Sequence, residues 1–289
     1  MTDNAMTDIQ VPGRVGVLGG GQMGSGIAHG FLASGARVVV VERDQASADA
    51  ARERVLKAVA ASLERGKISG ELDEWAGKLS VAVGYDAFRD CDLVVEAVPE
   101  VWELKVSSLT GVEKVLRPDA WLASNTSSMS IDGLAEQLQR PERFCGLHFF
   151  NPVPASKLVE VVIGNQTGDE LKALASQWVE GLGKTAVVVT DAPGFASSRL
   201  GVCIALEAIR MVEEGVAEPK AIDDAMVLGY KFPIGPLALT DLVGLDVRLG
   251  IAEYLESKLG ERFAPPQLMR DMVDRGELGK KAGKGFYAY

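Results

Sequence analysis

The chain has 289 residues, 47% hydrophobic and 24% charged, the balance of a globular enzyme with room for one large and one smaller domain. Its net charge of −10 argues against broad nucleic-acid binding, which needs a basic face. No stretch approaches the length of a membrane span and no signal peptide is recognisable, so we expect a cytoplasmic protein without a membrane partner.

The first twelve residues contain aspartates and no apolar run, and we predict that residues 1–12 form a flexible tail. The cysteines, Cys91, Cys145 and Cys203, lie far apart and lack CxxC or any other metal-ligand spacing. We therefore expect reduced thiols and no metal site, as is usual for a cytoplasmic protein.

From residue 14 onward, short apolar runs alternate with helical stretches, beginning with a strand at 14–18 and a helix at 22–34. The next run, 37–41, is apolar on both faces, as a central strand of a parallel sheet requires. A long charged helix is predicted over 46–65. Further strand candidates recur at 79–83, 92–98, 121–124, 143–149, 158–163 and 186–189. This alternation predicts an α/β fold, a Rossmann-like, doubly wound and mostly parallel sheet.

The pattern changes after Asp191-Ala-Pro-Gly194, beyond which we find only amphipathic helical stretches, at 197–214, 219–229 and 246–259. We therefore predict a domain junction here. An α/β domain is expected over residues 1–191 and a smaller all-helical C-terminal domain over residues 192–289.

A glycine-rich turn follows the first strand and opens the first helix. Gly19, Gly21 and Gly24 fit the pattern G-x-G-x-x-G, with Gln22 and Met23 inside it. The first glycine permits the tight turn, the second lets a pyrophosphate approach the backbone, and the third allows the helix to pack closely on the strand. The pattern alone is weak, but its position between strand and helix indicates a dinucleotide site.

Glu42 ends the second strand, where a carboxylate accepts hydrogen bonds from ribose hydroxyls and repels a 2′-phosphate. This favours NAD over NADP. Asp44 would take the same role if the strand ended two residues later, and Glu42 would then be a solvated strand-end charge. Arg43 is discordant, since an arginine there could accommodate a 2′-phosphate.

Of the two histidines, His29 lies in the helix after the glycine turn, and we expect it to be a packing or surface residue. His148 ends the strand at 143–149, and open α/β sheets bind ligands beyond the carboxyl ends of their strands. Two prolines then favour a sharp return that lets Glu160 face His148. A carboxylate on one imidazole nitrogen raises the basicity of the other, which suits removal of an alcohol proton as hydride moves to a nicotinamide. A structural His–Glu pair is the alternative.

Short hydroxyl and amide side chains cluster at residues 124–128, after the strand at 121–124. They could bind a substrate oxygen, or they could cap the following helix, for which Ser130 already has the features of an N-cap. The residues alone support both interpretations equally.

The chain closely resembles the bacterial 3-hydroxybutyryl-CoA dehydrogenases and the wider L-3-hydroxyacyl-CoA dehydrogenases. The resemblance runs from about residue 15 to the end of the chain, with its motifs in order and at the family's spacing. The motifs that carry it are Gly-Gly-Gly-Gln-Met-Gly-Ser-Gly-Ile-Ala28, Ala-Ser-Asn-Thr-Ser-Ser128, Gly146-Leu-His-Phe-Phe-Asn-Pro-Val-Pro154, Lys157-Leu-Val-Glu160, Asp191-Ala-Pro-Gly-Phe195 and Gly279-Lys-Lys-Ala-Gly-Lys-Gly-Phe-Tyr287.

The resemblance implies that His148 and Glu160 form the catalytic pair and that Ser127 hydrogen-bonds the reacting oxygen of the substrate. The NAD-binding positions that it implies, together with the glycine turn, are Gln22, Met23, Glu42, Glu100, Lys105 and Asn125. It further implies an acyl-CoA substrate, most simply a short-chain one, and a helical domain that contributes to substrate binding and to a homodimer.

One position departs from the family pattern, because Ser198 stands where the family has a substrate-contacting asparagine. Serine is shorter and lacks the paired donor and acceptor of an amide, so a direct contact is lost or bridged by water. We keep Ser198 as a candidate catalytic residue.

For coenzyme A we predict a basic cluster on the long charged helix and the turn after it, with plain solvation as the alternative: Arg54, Lys57, Arg65 and Lys67.

Two other functions remain open on the same scaffold. One is a dehydrogenase of a free hydroxy acid, a sugar acid or carnitine that uses the same His–Glu pair. The other is a non-catalytic NAD-binding protein, which would have no need of Ser127, His148 and Glu160.

Overall fold

The computed structural model describes residues 11–289, so all but residues 11 and 12 of the predicted tail lies outside the described part. The chain divides into two compact units between Asp191 and Ala192. We describe the α/β unit first and the helical unit by itself afterwards.

The α/β unit is built on one eight-stranded sheet with the strand order β3-β2-β1-β4-β5-β6-β7-β8. Neighbouring strands are parallel except β6 and β7, which are antiparallel. The doubly wound, mostly parallel sheet is therefore confirmed. The strands are β1 Arg14–Leu18, β2 Arg37–Glu42, β3 Leu79–Val83, β4 Leu93–Glu96, β5 Trp121–Ser124, β6 Phe144–Phe149, β7 Leu158–Ile163 and β8 Thr185–Thr190.

Helices cover the sheet, which is why the central strands are apolar on both faces. Val38 to Val41 of β2 are all buried, as are Leu93 to Val95 of β4. The helices of this unit are α1 Gln22–Ala33, α2 Gln45–Glu64, α3 Leu72–Ala76, α4 Trp102–Val115, α5 Ile131–Ala135 and α6 Asp169–Gly181.

Two helix boundaries have clear local causes. Asp44 is the N-cap of α2, because its carboxylate accepts a hydrogen bond from the Ser47 amide at 2.7 Å. Helix α5 begins after the predicted cap Ser130, whose hydroxyl accepts from the Gly133 amide at 3.0 Å. It ends earlier than the apolar pattern suggests, at Ala135.

The antiparallel pair β6–β7 carries the histidine and the glutamate that the sequence analysis pairs. Its register places His148 directly opposite Glu160. Directly paired residues on adjacent strands have neighbouring side chains on the same face of the sheet. The return of the chain that the two prolines predict therefore brings the two side chains together.

The helical unit contains α7 Ser197–Glu213, α8 Pro219–Asp224, α9 Pro236–Val243, α10 Leu245–Leu259 and α11 Gln267–Asp274. Its core is formed by Leu206 and Ile209 of α7 with Leu255 and Met269. The helix predicted at 219–229 is shorter, since α8 passes into a π-helical turn over Ala225–Gly229. Within residues 11–289, no helix combines the length and the apolar character needed to cross a membrane.

Candidate active site

His148 and Glu160 form a buried hydrogen-bonded pair near the carboxyl end of β6. His148 Nδ1 lies 2.8 Å from Glu160 Oε2, and the two side chains are 8% and 1% exposed. The Phe150 ring stacks at a tilt on the imidazole, with 4.4 Å between ring centroids. With Nδ1 on the carboxylate and the ring held by packing, the imidazole has one orientation and one favoured tautomer.

The glycine turn has the geometry that the sequence predicts. Gly19 has a φ of +89°, a conformation that favours glycine, and its amide bonds the Val41 carbonyl at 2.9 Å. A Cβ on Gly24 would lie 1.7 Å from the Gly19 carbonyl oxygen, so only glycine fits there. A Cβ on Gly21, by contrast, would meet open space, which leaves the backbone accessible to a pyrophosphate.

Glu42 is the last residue of β2, and its Oε1 accepts from the Gly20 amide at 2.7 Å. The carboxylate is therefore fixed against the glycine turn, at the place where a ribose would lie. Asp44 is occupied as the N-cap of α2, and the exposed Arg43 side chain bonds Asp44 at 3.1 Å. Glu42 is thus the carboxylate that bonds the glycine turn, whereas Asp44 caps a helix, and the ribose-binding role of Glu42 stays a prediction.

The loop over residues 124–128 is organised around one carboxylate. Glu100 Oε1 accepts from the Ser127 amide at 3.0 Å and the Ser128 amide at 3.3 Å, and also from the Thr126 hydroxyl. The Ser127 hydroxyl lies 3.5 Å from the same oxygen, a long contact that leaves the hydroxyl able to turn. The sequence left open whether this cluster caps the following helix. In the structure the N-cap of that helix, α5, is Ser130.

Lys105 lies behind Glu100, away from the surface. Its side chain is 1% exposed, and its ammonium group pairs with Glu96 at 2.8 Å and Glu100 at 3.2 Å. The direct contact with NAD that the resemblance implies stays a prediction for this buried group. Glu96 escaped the sequence analysis, because the predicted strand extended to residue 98 whereas β4 ends at Glu96.

Asn125 and Gln22 connect the site loops to one another. Asn125 Oδ1 accepts from the Phe149 amide at 2.9 Å, next to His148. Gln22 Nε2, in the glycine turn, donates to Asn151 Oδ1 at 3.0 Å. Met23, the other predicted residue of the turn, is partly buried against the core of this unit.

A cleft of about 540 Å³ opens beside the glycine turn, between α1, α2 and the segment after β6. Arg54 lines it and donates to the Gly20 carbonyl oxygen at 2.8 Å through Nη2. The other cleft residues include Gln22, Ser25, Asn151 and Val153. Of the predicted basic cluster, Arg54 is thus placed at the cleft wall.

The remaining basic residues surround the end of α2. Lys57 is exposed on α2, Arg65 is its C-cap and Lys67 lies in the turn that follows. Burial, Lys184 and Lys67 lower the pKa of His29, in that order, so the two ammonium groups lie within electrostatic range of this imidazole. His29 itself is buried, with its Nε2 2.9 Å from the Ser62 hydroxyl, as expected for a packing residue.

Ser198 lies in the first turn of α7 in the helical unit and is partly buried. Its predicted role therefore stays a prediction.

Cys91 and Cys145 are buried and Cys203 is exposed, all as free thiols. Within residues 11–289, no group of three or more histidine, cysteine or acidic side chains is arranged to hold a metal ion.

Both halves of the chain match family descriptions. Residues 14–192 match the 3-hydroxyacyl-CoA dehydrogenase NAD binding domain, and residues 194–289 match the 3-hydroxyacyl-CoA dehydrogenase C-terminal domain. A probable 3-hydroxybutyryl-CoA dehydrogenase of Deinococcus radiodurans is 43% identical over 96% of this chain and 100% of its own length. A 3-hydroxybutyryl-CoA dehydrogenase of Mycobacterium tuberculosis is 42% identical, over 96% and 98%.

A solved structure gives the same result. The (S)-3-hydroxybutyryl-CoA dehydrogenase of Ralstonia eutropha superposes with a TM-score of 0.92 at 37% identity, covering 96% of this chain and 99% of that one. Similarity of this extent includes the sheet with its antiparallel pair β6–β7 and the helical unit. The chain therefore belongs to the 3-hydroxyacyl-CoA dehydrogenase family.

Proposed function

We propose that this protein is an NAD-dependent dehydrogenase that interconverts (S)-3-hydroxyacyl-CoA and 3-oxoacyl-CoA thioesters. The observation that carries the proposal is the buried His148–Glu160 pair at the ligand-binding edge of a sheet with a dinucleotide turn. The names of the similar enzymes favour a short-chain substrate such as 3-hydroxybutyryl-CoA.

His148 is the acid and base of the proposed reaction. Glu160 holds Nδ1 at 2.8 Å, so the proton of the substrate hydroxyl is exchanged at Nε2. In the oxidation direction the imidazole takes this proton and becomes a cation, which the adjacent Glu160 carboxylate stabilises. In the reduction direction the protonated ring returns the proton to the forming alkoxide.

The chemistry that NAD would supply here when bound is the transfer of a hydride to or from C3 of the acyl chain. The glycine turn would hold its pyrophosphate and Glu42 its ribose hydroxyls, as their geometry fits. We assign Glu100 and Asn125 to the same edge of the site. Both hold loop backbone there, Glu100 at residues 126–128 and Asn125 at Phe149.

Ser127 is proposed to donate its hydroxyl to the reacting oxygen of the substrate. A donor at this oxygen stabilises the negative charge that develops as the alcohol loses its proton. Ser198, in the first turn of α7, is kept as a second proposed polar contact of the substrate.

We propose that coenzyme A lies along the cleft beside α2. Arg54 lies on the cleft wall, and Lys57, Arg65 and Lys67 are exposed along α2 and in the turn after it. Cations are needed because the phosphates of coenzyme A meet a net charge of −10.

A cytoplasmic homodimer completes the proposal. The free thiols suit a reducing compartment. The helical unit exposes several large apolar side chains, including Leu228 at 68% and Tyr230 at 74%, which a second copy of the chain could cover.

The test is NADH oxidation, followed at its absorbance, with acetoacetyl-CoA and with free acetoacetate as alternative substrates. We expect turnover with the thioester and little with the free acid, and a much lower kcat/KM with NADPH. Good turnover of the free acid alone would identify a hydroxy-acid dehydrogenase instead. Comparable kcat/KM with NADPH and NADH would contradict the role of Glu42.

A further inference from the structure

Arg248 of α10 is a cation in the interior of the helical unit. Its side chain belongs to a residue that is 7% exposed, and its Nε is buried without a hydrogen-bond acceptor. Burial lowers the pKa of Arg248 to about 10, and no carboxylate of residues 11–289 acts against this shift. The side chain is still a cation at neutral pH. The unit therefore holds a positive charge in its interior without a counter-charge.

The buried carboxylates of the helical unit already have other donors. Asp241 accepts from the Phe286 amide at 3.0 Å and from the Tyr287 amide at 2.9 Å. Asp223 accepts from the Leu237 amide and from the Tyr287 hydroxyl, both at 2.8 Å. An unpaired charge in the interior destabilises a fold. The arginine therefore calls for a role other than stability, namely binding a ligand that carries the missing negative charge.

The guanidinium lies beside the face of α7 that carries Ser198. A Cβ on Gly201 of α7 would lie 3.4 Å from Arg248 Nη1. Within the described part of the helical unit, Nη1 is the one atom outside that turn of α7 within 4 Å of this Cβ position, so there is open space beside the donor. Gly201 follows Ser198 by three residues, and residues at this spacing share one face of a helix.

We propose that Arg248 is a specificity-determining residue, which binds a carboxylate at the far end of the acyl chain of the substrate. The preferred substrates are then 3-hydroxyacyl-CoA and 3-oxoacyl-CoA thioesters that end in a carboxylate rather than in a methyl group. This inference rests on the proposed function and on Ser198 as a contact of the substrate.

A carboxylate is the group that best satisfies a buried guanidinium. Its two oxygens accept two parallel hydrogen bonds from the planar fork of N–H donors, and its charge neutralises the cation. A terminal methyl group would leave the arginine unpaired. Helix α7 rises about 4.5 Å from Ser198 to Gly201, which leaves room for a few methylene groups between the thioester and the carboxylate.

Two thioesters of equal chain length test the proposal, 3-oxoadipyl-CoA and 3-oxohexanoyl-CoA, which differ only in the terminal carboxylate. The kcat/KM of each is measured by NADH oxidation. We expect the wild type to prefer 3-oxoadipyl-CoA by about tenfold or more, because this substrate pairs with the buried charge. Arg248→Met, which removes the charge, should lose on the order of 100-fold on 3-oxoadipyl-CoA and little on 3-oxohexanoyl-CoA.

Arg210→Met is the matched control. Arg210 also lies in the helical unit, on α7, but its Nη2 donates to the Ala264 carbonyl oxygen at 2.8 Å. We expect this variant to keep the wild-type preference between the two thioesters. A wild-type preference of one or below would overturn the proposal, and so would a preference that Arg248→Met leaves unchanged. Failure of the wild type to turn over these thioesters and acetoacetyl-CoA alike would instead overturn the proposed function.

Urea unfolding without any ligand gives a readout that does not depend on turnover. We expect the midpoint of Arg248→Met to lie at a higher urea concentration than that of the wild type, because methionine packs in the interior without an unpaired charge. Arg210→Met should show no such gain, since its guanidinium has a partner. A lower midpoint in Arg248→Met would show that the arginine stabilises the fold, which would overturn the proposal.

Discussion

The position of Gly24 has no room for any side chain, which is a stricter requirement than the motif alone suggests. A Cβ there would lie 1.7 Å from the Gly19 carbonyl oxygen, within the turn that is to receive the cofactor. Gly30, two turns later in α1, has nothing within 4 Å of the same added atom. The two glycines therefore offer a matched pair of substitutions in one helix.

We expect Gly24→Ala to displace the turn and to abolish measurable NADH binding. Gly30→Ala should bind NADH normally and gain roughly 0.5–1 kcal/mol in free energy of unfolding, because alanine favours helix. Titration of NADH fluorescence and urea unfolding would measure both effects. Normal NADH binding by Gly24→Ala would contradict the assignment of this turn to the cofactor.

The sequence allowed the contacts of a residue to be predicted where those contacts follow from the pairing of regular strands. His148 and Glu160 meet because each lies in a predictable strand and the chain returns between them. Glu96 was missed because the predicted strand ran two residues past it, to residue 98, whereas β4 ends at Glu96. Lys184 could not be found from strand ends, because its partners are carbonyl oxygens of a distant irregular segment, for which no sequence pattern exists.

At the scale of elements, the segment between β6 and β7 connects the catalytic pair to the cleft. Lys184 donates to the carbonyl oxygens of Val153 and Ser156 at 2.6 Å and 2.5 Å. Val153 in turn packs on α1 at Gly26, where a Cβ would come within 2.8 Å of its side chain. This segment is thus clamped from one side by an ammonium ion and from the other by close packing.

We expect Lys184→Met to lower the free energy of unfolding by about 1–3 kcal/mol, because two carbonyl oxygens lose their donor. The KM for acetoacetyl-CoA should rise more than the KM for NADH, since the clamped segment lines the proposed coenzyme A cleft. Steady-state kinetics and urea unfolding would measure both. Lys172→Met is the control, since Lys172 forms only an exposed pair with Asp169. Equal behaviour of the two variants would contradict the clamp.

At the scale of the whole molecule, the alternation of apolar runs and helical stretches was sufficient to predict the doubly wound, mostly parallel sheet and the helices of the C-terminal region. The limits of individual helices were less predictable where side chains intervene. Helix α5 stops at Ala135 and is followed by backbone amides that bond Glu113, a long-range partner that local pattern does not reveal.

The proposed homodimer is also a property of the whole molecule. We expect sedimentation equilibrium at micromolar concentration to give twice the mass of the chain, with the exposed apolar side chains of the helical unit, Leu228 and Tyr230 among them, covered in the dimer. A single species of monomer mass at those concentrations would contradict a dimer.

The most direct test of the proposed chemistry is the rate of NADH oxidation by acetoacetyl-CoA in the His148→Ala variant, measured beside the wild type. We expect kcat to fall by about 10²–10⁴-fold, because the proton that accompanies the hydride loses its donor. The Kd for NADH should not change, since His148 is placed for the substrate. A variant that retains the wild-type rate would contradict His148 as the acid and base of this enzyme.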